Sequence, residues 1–332
     1  MKDIILKQNP IFRLGSLRFF SSYLIHMRPY LLFVSGVAGC AGLAISPQNL
    51  NDLSNILCFS AFFLGYGFGQ ALTDCFQIDT DSISSPYRPL VRGIISKKDV
   101  LAFSFAGLLA IGITLVMHNL YNLPILIASA AGLLTYTYFK KNHSFLGPFW
   151  NSWIVMLLPI AGYLATDSAF TLNNILGNRN ILILAVMSFA SYANFVVIGY
   201  LKDITADRQT GYKTFPVIYG WDKTILLGHL NVAVSIILCA YLVSQSYNLF
   251  AAIFCGIGSA IAIAGQLYGM ITKEKTELNS AFPVASTVRS FILWHLSVIV
   301  AFKDTTLVVL LSIIFYLLFE LVIYKRPQKE QI

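Results

Sequence analysis

Long apolar runs follow one another along this chain, separated by short polar breaks. A helix needs ~20 predominantly apolar residues to cross the hydrocarbon core of a bilayer. Ten stretches qualify: 29–46, 53–76, 100–117, 123–139, 148–166, 180–200, 224–244, 249–271, 286–303 and 305–324. A very short turn joins the last two. They read as two spans, or as one span plus a re-entrant or tilted piece, which would make nine. Tyr30, Trp150, Trp221 and Tyr324 fall near run ends, where amphipathic rings suit the membrane interface. The pattern predicts an all-α, polytopic membrane helix bundle of 9–10 transmembrane helices, a single domain over residues 1–332.

Residues 1–28 differ from the rest. They alternate polar and apolar positions and carry Lys2, Lys7, Arg13, Arg18 and Arg28. No short apolar core ending in a small-residue cleavage site is present, so this is not a secretory signal. Ile11 to Ile25 reads as an amphipathic helix on the membrane surface or as a basic, solvated lead-in.

Composition agrees with the pattern. Hydrophobic residues make up 57% of the chain and charged residues 11%, with a mean hydropathy of +0.70. Soluble domains carry roughly 25% charged residues. The net charge of +8 raises the question of nucleic acid, and its placement answers it. With the N-terminus inside and ten alternating spans, 21 of the 23 basic residues fall in inside segments, leaving Arg179 and Lys303 outside. That is the positive-inside distribution. It predicts two cytoplasmic termini, the lipid bilayer as partner and no nucleic acid. No organelle transit peptide is visible, so a bacterial inner membrane is the expectation. The five cysteines have no Cys-x-x-Cys spacing and imply no disulfide framework. The five histidines show no ligand spacing. Glu320 is expected to pair with, or snorkel toward, Lys325.

Five of the 15 acidic residues lie in two of the inside breaks. The first break, Asp74 to Gly93, holds Asp74, Asp79 and Asp81, then Pro86, Arg88, Pro89 and Arg92. If the second run continues as a helix, Asp74 and Asp81 lie two turns apart on one face, with Gln77 between them. Ser82, Ser84, Ser85 and Pro86 then end the helix, and Pro86-Tyr87-Arg88-Pro89 sets Arg88 in an extended segment. The second break holds Lys202, Asp203, Asp207, Arg208, Gly211, Lys213, Pro216 and Gly220. Asp203 and Asp207, at i and i+4, share a helix face, where like charges repel unless a cation sits between them. The bland alternatives are an ordinary solvated loop for the first and a salt-bridged helix end for the second. Two clusters of one kind on one membrane face point elsewhere. Hard carboxylate oxygens bind Mg²⁺, and Mg²⁺ with Arg and Lys binds phosphates, so the pair points to chemistry on a diphosphate. Each cluster follows an even-numbered run and precedes a Pro and a Gly, a weak symmetry consistent with two four-helix repeats.

These stretches resemble the two Asp-rich motifs of the UbiA-type intramembrane prenyltransferases. The first family motif is roughly Asn-Asp-x-x-Asp-x-x-x-Asp, then Pro-x-Arg-Pro-(Leu/Ile)-x-x-Gly. Aligned on Pro86, Arg88, Pro89, Leu90 and Gly93, it sets Thr73 at the Asn, Asp74 and Asp81 at two Asp positions and Gln77 at the middle one. The second is roughly Asp-x-x-x-Asp, then Gly-x-x-(Thr/Ser)-x-Pro-Val-x-x-Gly, matched by Asp203, Asp207, Gly211, Thr214, Pro216, Val217 and Gly220. Arg28-Pro29, Tyr136 to Lys140, Gly147 to Asn151 and Pro159 resemble further family positions, so the likeness is strong over about residues 28 to 220. Thr73 and Gln77 depart from the pattern.

The resemblance implies a bundle around a central apolar chamber and a Mg²⁺-dependent enzyme acting on a prenyl diphosphate. It implies metal ligands at Asp74, Asp81, Asp203 and Asp207, with Asp79 supplying the ligand that Gln77 lacks if the backbone bulges there. Diphosphate contacts are implied at Arg88, Lys140, Lys202 and Lys213, and wall or acceptor residues at Arg28, Tyr136 and Asn151. The diphosphate would leave an allylic cation, stabilised by aromatic walls, for attack by a small acceptor. An aromatic quinone or secondary-metabolite precursor is the expectation. A terpene cyclase on the same fold would use the metals without an acceptor. A transporter would carry ionisable or helix-breaking residues at mid-membrane, whereas these charges collect at one face.

Overall fold

A membrane-spanning helix must satisfy its backbone hydrogen bonds within itself, and the apolar runs do so as long helices. The computed structural model describes residues 11–325; Lys2, Lys7, Arg326 and Lys329, counted in the charge split, lie outside them, as do the two ends of the chain. The chain forms α1 (Leu17–His26), α2 (Leu32–Ile45), α3 (Asp52–Asp74), α4 (Ile78–Ser84), α5 (Lys97–His118), α6 (Asn122–Asn142) and α7 (Leu146–Ala165). It continues as α8 (Leu172–Gly177), α9 (Arg179–Gly199), α10 (Ile204–Gln209), α11 (Phe215–Val243), α12 (Leu249–Ile271), α13 (Ala281–Phe302) and α14 (Thr306–Tyr324). Among the described residues nine helices are long and apolar enough to span, and the pair α1 and α2, bent by 61°, makes a tenth if taken as one broken span. The protein is therefore an all-helical integral membrane bundle.

Side-chain caps set several starts. Asn51 accepts from the Ser54 N–H at 2.8 Å to open α3, and Ser96 accepts from the Asp99 N–H at 3.1 Å to open α5. The last two runs are separate helices, and α13 is deeply enclosed, with Trp294 and Ile292 fully buried. The seventh run begins earlier than its apolar pattern: α11 starts at Phe215 and is kinked at Gly220, whose φ of 80° suits glycine. In α1, Phe19, Tyr23 and His26 are buried while Leu17 is 88% exposed, an amphipathic helix shorter than 11–25.

Close backbone approach joins α2 to α7. A Cβ added at Gly42 would lie 1.9 Å from the Pro159 carbonyl oxygen, and one at Gly162 would lie 2.2 Å from the Gly39 carbonyl oxygen. Small residues at such crossings let membrane helices pack by direct contact. Glu320 departs from expectation. It accepts from Nε and one terminal nitrogen of Arg289 of α13, at 2.7 and 2.9 Å, and from the Tyr316 hydroxyl at 2.8 Å. A fork of two donors on a neighbouring helix satisfies a half-buried carboxylate better than one mobile lysine at the helix end.

Candidate active site

The first aspartate segment does not continue the second span. Beyond Asp74 the amides of Cys75, Phe76 and Gln77 bond back to Leu72, Thr73 and Asp74, a tightened i to i+3 ending, and a new helix starts at Ile78. The break resets the rotation of the chain. Asp74, Gln77 and Asp81 turn to a chamber of about 220 Å³ enclosed by the bundle. Asp79 turns away: it is exposed and accepts from Lys141 at 3.3 Å and from the Tyr212 hydroxyl at 3.1 Å. Burial is the largest single influence and works against its charge, but hydrogen bonds from the Thr80 amide, Lys141 and Tyr212 together prevail and hold its pKa below the usual value. After Ser85 the chain makes successive turns, with the Arg88 amide bonded to the Ser85 carbonyl at 3.1 Å, so Arg88 is not in an extended segment.

The second segment is also a broken helix. Past Gly199 the chain tightens through residues 200–202 and restarts as α10. Asp203 lines the chamber together with Lys202. Asp207, one turn on, is buried behind the wall and accepts from Thr80 at 3.2 Å and Thr214 at 3.0 Å. The two carboxylates therefore do not share a face toward the chamber. Burial pushes the Asp207 pKa up to about 6, against the pull of Lys140 4.0 Å away. Thr80 to Asp207 and Asp79 to Tyr212 stitch the two segments together. Lys213 is exposed and off the chamber wall, with its amide on the Lys141 carbonyl at 2.8 Å.

At the mouth, cations and carboxylates interleave. The Arg28 guanidinium donates to both Asp74 oxygens, at 2.9 and 2.8 Å. Its own backbone is left-handed (φ 55°), the one such non-glycine among the described residues, at the bend between α1 and α2. Such a conformation is costly for a long side chain and persists where surroundings enforce it. Arg88 donates to Asp81 and lies 3.5 Å from Asp74. Lys140 donates to the Gln77 amide oxygen at 2.9 Å and sits over the Tyr200 and Tyr212 rings. The Lys202 ammonium, which lines the chamber, makes no hydrogen bond among the described residues.

Below this mouth the walls are mainly apolar, with Leu108, Ile111, Leu126, Leu133, Leu158 and Val155 among them. Tyr136 and Asn151 both line the chamber. The Tyr136 and Tyr200 hydroxyls bond at 3.2 Å, and Asn151 donates to the Tyr192 hydroxyl at 3.3 Å. Several wall residues were not singled out from sequence. Gln70 donates to Asp74 at 2.6 Å, and Tyr66 bonds Tyr192 at 2.8 Å. The 66-70-74 spacing, one helix face leading up to the first aspartate, is a signal that finds both. Nothing local marks Tyr192. His26 is buried with both ring nitrogens unpartnered, Nε2 3.9 Å from Asp74.

Comparison with known proteins fits this geometry. The model of the UbiA prenyltransferase family matches residues 34–296. Digeranylgeranylglyceryl phosphate synthase of Thermococcus kodakarensis is 27% identical over 220 residues, 66% of this chain and 76% of that protein. The synthase of the same name from Methanocaldococcus jannaschii is 28% identical over 221 residues, 65% of this chain and 74% of its own. Among solved structures, an apo UbiA homologue from Aeropyrum pernix K1 superposes with a TM-score of 0.66 at 19% identity, covering 78% of this chain and 94% of that one. A UbiA homologue from Archaeoglobus fulgidus bound to GPP and Mg²⁺ gives 0.60 at 18% identity, covering 84% and 99%. With most of its length matched and the same helical fold around the chamber, this chain belongs to the UbiA prenyltransferase family and is a membrane prenyltransferase.

Proposed function

We propose that the protein transfers a prenyl group from an allylic diphosphate to the free hydroxyl of a prenylated glycerophosphate. The observation that carries this is one chamber with two characters. Asp74, Asp81, Asp203, Arg28, Arg88, Lys140 and Lys202 meet at its mouth, and the rest of its wall is mainly apolar, with a few uncharged polar groups such as Asn151 and Tyr192. That is the shape of a site for an amphiphile with a phosphate head. The acceptor class comes from the relatives, which are named digeranylgeranylglyceryl phosphate synthases. The aromatic acceptor expected from sequence finds no support among them.

The donor atoms suit Mg²⁺. Among the described residues no three acidic, His or Cys side chains form a ready-made metal cage. Mg²⁺ seldom uses one: it keeps several waters and binds through one or two carboxylates plus substrate phosphates. Asp74, Asp81 and Asp203 present hard oxygens to the chamber, and Asp207 would join them only by exchanging its threonine bonds. Bound there, Mg²⁺ would neutralise the diphosphate and make it a better leaving group.

The chain's own groups do the rest. Arg28, Arg88, Lys140 and Lys202 hold the departing diphosphate as its bond to the allylic carbon breaks. The apolar wall excludes water, and the Tyr136 and Tyr200 rings on that wall would stabilise the cation. The acceptor oxygen attacks that carbon and its proton leaves to the released diphosphate. The assay is purified protein with geranylgeranyl diphosphate and Mg²⁺, alone, with geranylgeranylglyceryl phosphate, or with para-hydroxybenzoate. Ether product from the glycerophosphate alone is expected. Hydrocarbon without acceptor would make the enzyme a cyclase, and product from para-hydroxybenzoate alone would restore the aromatic reading.

In this reading both aspartate segments face the cytoplasm, supported by the placement of 20 of the 23 basic residues, Arg289 lying within α13 and not in an inside loop. Ser82 is exposed on α4. With the native cysteines replaced, Ser82→Cys should react with an impermeant thiol reagent in inverted vesicles only; labelling in right-side-out vesicles would reverse the orientation.

A further inference from the structure

Three chamber-lining polar groups from three helices meet at one point: Tyr66 of α3, Tyr192 of α9 and Asn151 of α7. The two hydroxyl oxygens are 2.8 Å apart, and the Asn151 amide nitrogen donates to the Tyr192 oxygen at 3.3 Å. Among the described residues nothing else hydrogen-bonds either hydroxyl or the Asn151 amide oxygen. The donors can therefore be counted. Two tyrosines carry two O–H donors, and the bond between them uses one. If Tyr192 donates to Tyr66, the Tyr66 proton is left over. If Tyr66 donates, the Tyr192 proton is left over. Either way one O–H donor remains for the chamber, beside an amide oxygen that can accept. A buried donor without a partner is costly, so a ligand that completes this pair is favoured.

The depth of the cluster identifies the ligand. Gly147 lies level with the ionic mouth: a Cβ there would sit 3.3 Å from the Lys140 Cα and 3.6 Å from the Tyr200 hydroxyl. Asn151 is four residues, just over one helical turn, further in, about 6 Å. The Asn151 amide thus lies just beneath the charges, near where the carbon bonded to the diphosphate would sit, and the Tyr66 and Tyr192 side chains reach it from backbones about 12 Å along their helices from Asp74 and Tyr200. A phosphate belongs above it and a hydrocarbon tail below it. An uncharged oxygen that both donates and accepts, an alcohol or phenol, matches one spare donor beside one spare acceptor.

We infer that the Tyr66–Tyr192 pair, with Asn151, is the docking point for the acceptor's nucleophilic hydroxyl, holding it beside the reacting carbon. These are positioning residues; the inference rests on the prenyl-transfer reading and adds where the acceptor's reactive end is held.

The count makes an unusual prediction. Tyr66→Phe frees the Tyr192 proton, and Tyr192→Phe frees the Tyr66 proton, so each single variant keeps one donor for the acceptor. The double variant keeps no O–H donor, and the only donor left at that point is the Asn151 amide N–H that Tyr192 releases. In full-length protein, each single change should alter the acceptor KM by no more than about twofold, whereas the double should raise it about tenfold, the worth of one hydrogen bond. The KM for geranylgeranyl diphosphate should stay unchanged in all three. A double variant no worse than the singles would overturn the inference. So would singles as damaging as the double, which would mark a structural strut, or a loss falling on the diphosphate KM. Should the wild-type enzyme ignore geranylgeranylglyceryl phosphate but prenylate para-hydroxybenzoate, the acceptor class fails alone. The same variants on that phenol then carry the same expectation and the same contrary results.

Discussion

Replacing Asp74 or Asp203 by alanine is expected to lower turnover about a thousandfold, equivalent to about 4 kcal/mol of transition-state stabilisation. Both carboxylates open onto the chamber mouth, where the negative charge of a leaving diphosphate must be met. Removing one takes away an oxygen ligand for a cation bridging to the phosphates. Asp74 has a second duty as the counter-ion of Arg28 and, at 3.5 Å, of Arg88. Its loss leaves the Arg28 guanidinium without its carboxylate and Arg88 with Asp81 alone in a largely buried place, so Asp74→Asn, of the same shape, is the companion that separates charge from packing. Asp79→Asn is the internal control. Its carboxylate is 46% exposed, paired with Lys141 and turned from the chamber, so its rate should stay within about twofold of wild type, as surface pairs contribute little. Gln77, which faces the chamber and holds Lys140, should be the more sensitive of the two when changed to alanine. Initial rates of donor consumption in proteoliposomes measure all of these. Near-normal rates for both Asp74→Ala and Asp203→Ala would remove the carboxylates from the chemistry, and a dead Asp79→Asn would return that residue to the site.

Gly42→Ala should destabilise the bundle by about 3 kcal/mol, the upper end for overpacking a close-packed interior. The new methyl would start 1.9 Å from a carbonyl oxygen of α7, and a backbone atom cannot swing aside as a side chain can. The helices would have to separate. Gly162→Ala makes the reciprocal contact, 2.2 Å from the Gly39 carbonyl, and should act alike. The separation matters for function because α7 carries Asn151 while the chain leading into α2 carries Arg28, both on the chamber wall. Gly65→Ala is the contrast: its added Cβ meets nothing within 4 Å. Thermal unfolding in detergent should show a clear fall in Tm for the first two variants and little for the third. Equal Tm values for Gly42→Ala and Gly65→Ala would mean that α2 and α7 do not touch backbone to backbone.

Much of this protein was legible in its sequence because the bilayer is a demanding solvent. A chain in hydrocarbon must close its backbone hydrogen bonds as helices about 20 residues long, so runs such as 249–271 map directly onto a helix of the same bounds. Charge is expensive there, so carboxylates beside Arg and Lys at one face stood out, and Asp74, Asp81 and Asp203 do line one chamber with Arg28, Arg88, Lys140 and Lys202. What hydropathy cannot carry is rotation. Each residue of a helix turns the chain by a fixed angle, so the three-residue break after Asp74 decided that Gln77 faces the chamber and Asp79 does not. The same is true of Asp207, whose partners Thr80 and Thr214 come from the far segment and the next helix, and of Lys213, left outside by the turn at Gly211. The pairs that shape the site join residues 46 apart (Arg28 and Asp74) and 126 apart (Tyr66 and Tyr192). Such pairs exist only once helices pack side by side, because what brings them together is the shape of the whole bundle and not any property of the stretch around either residue.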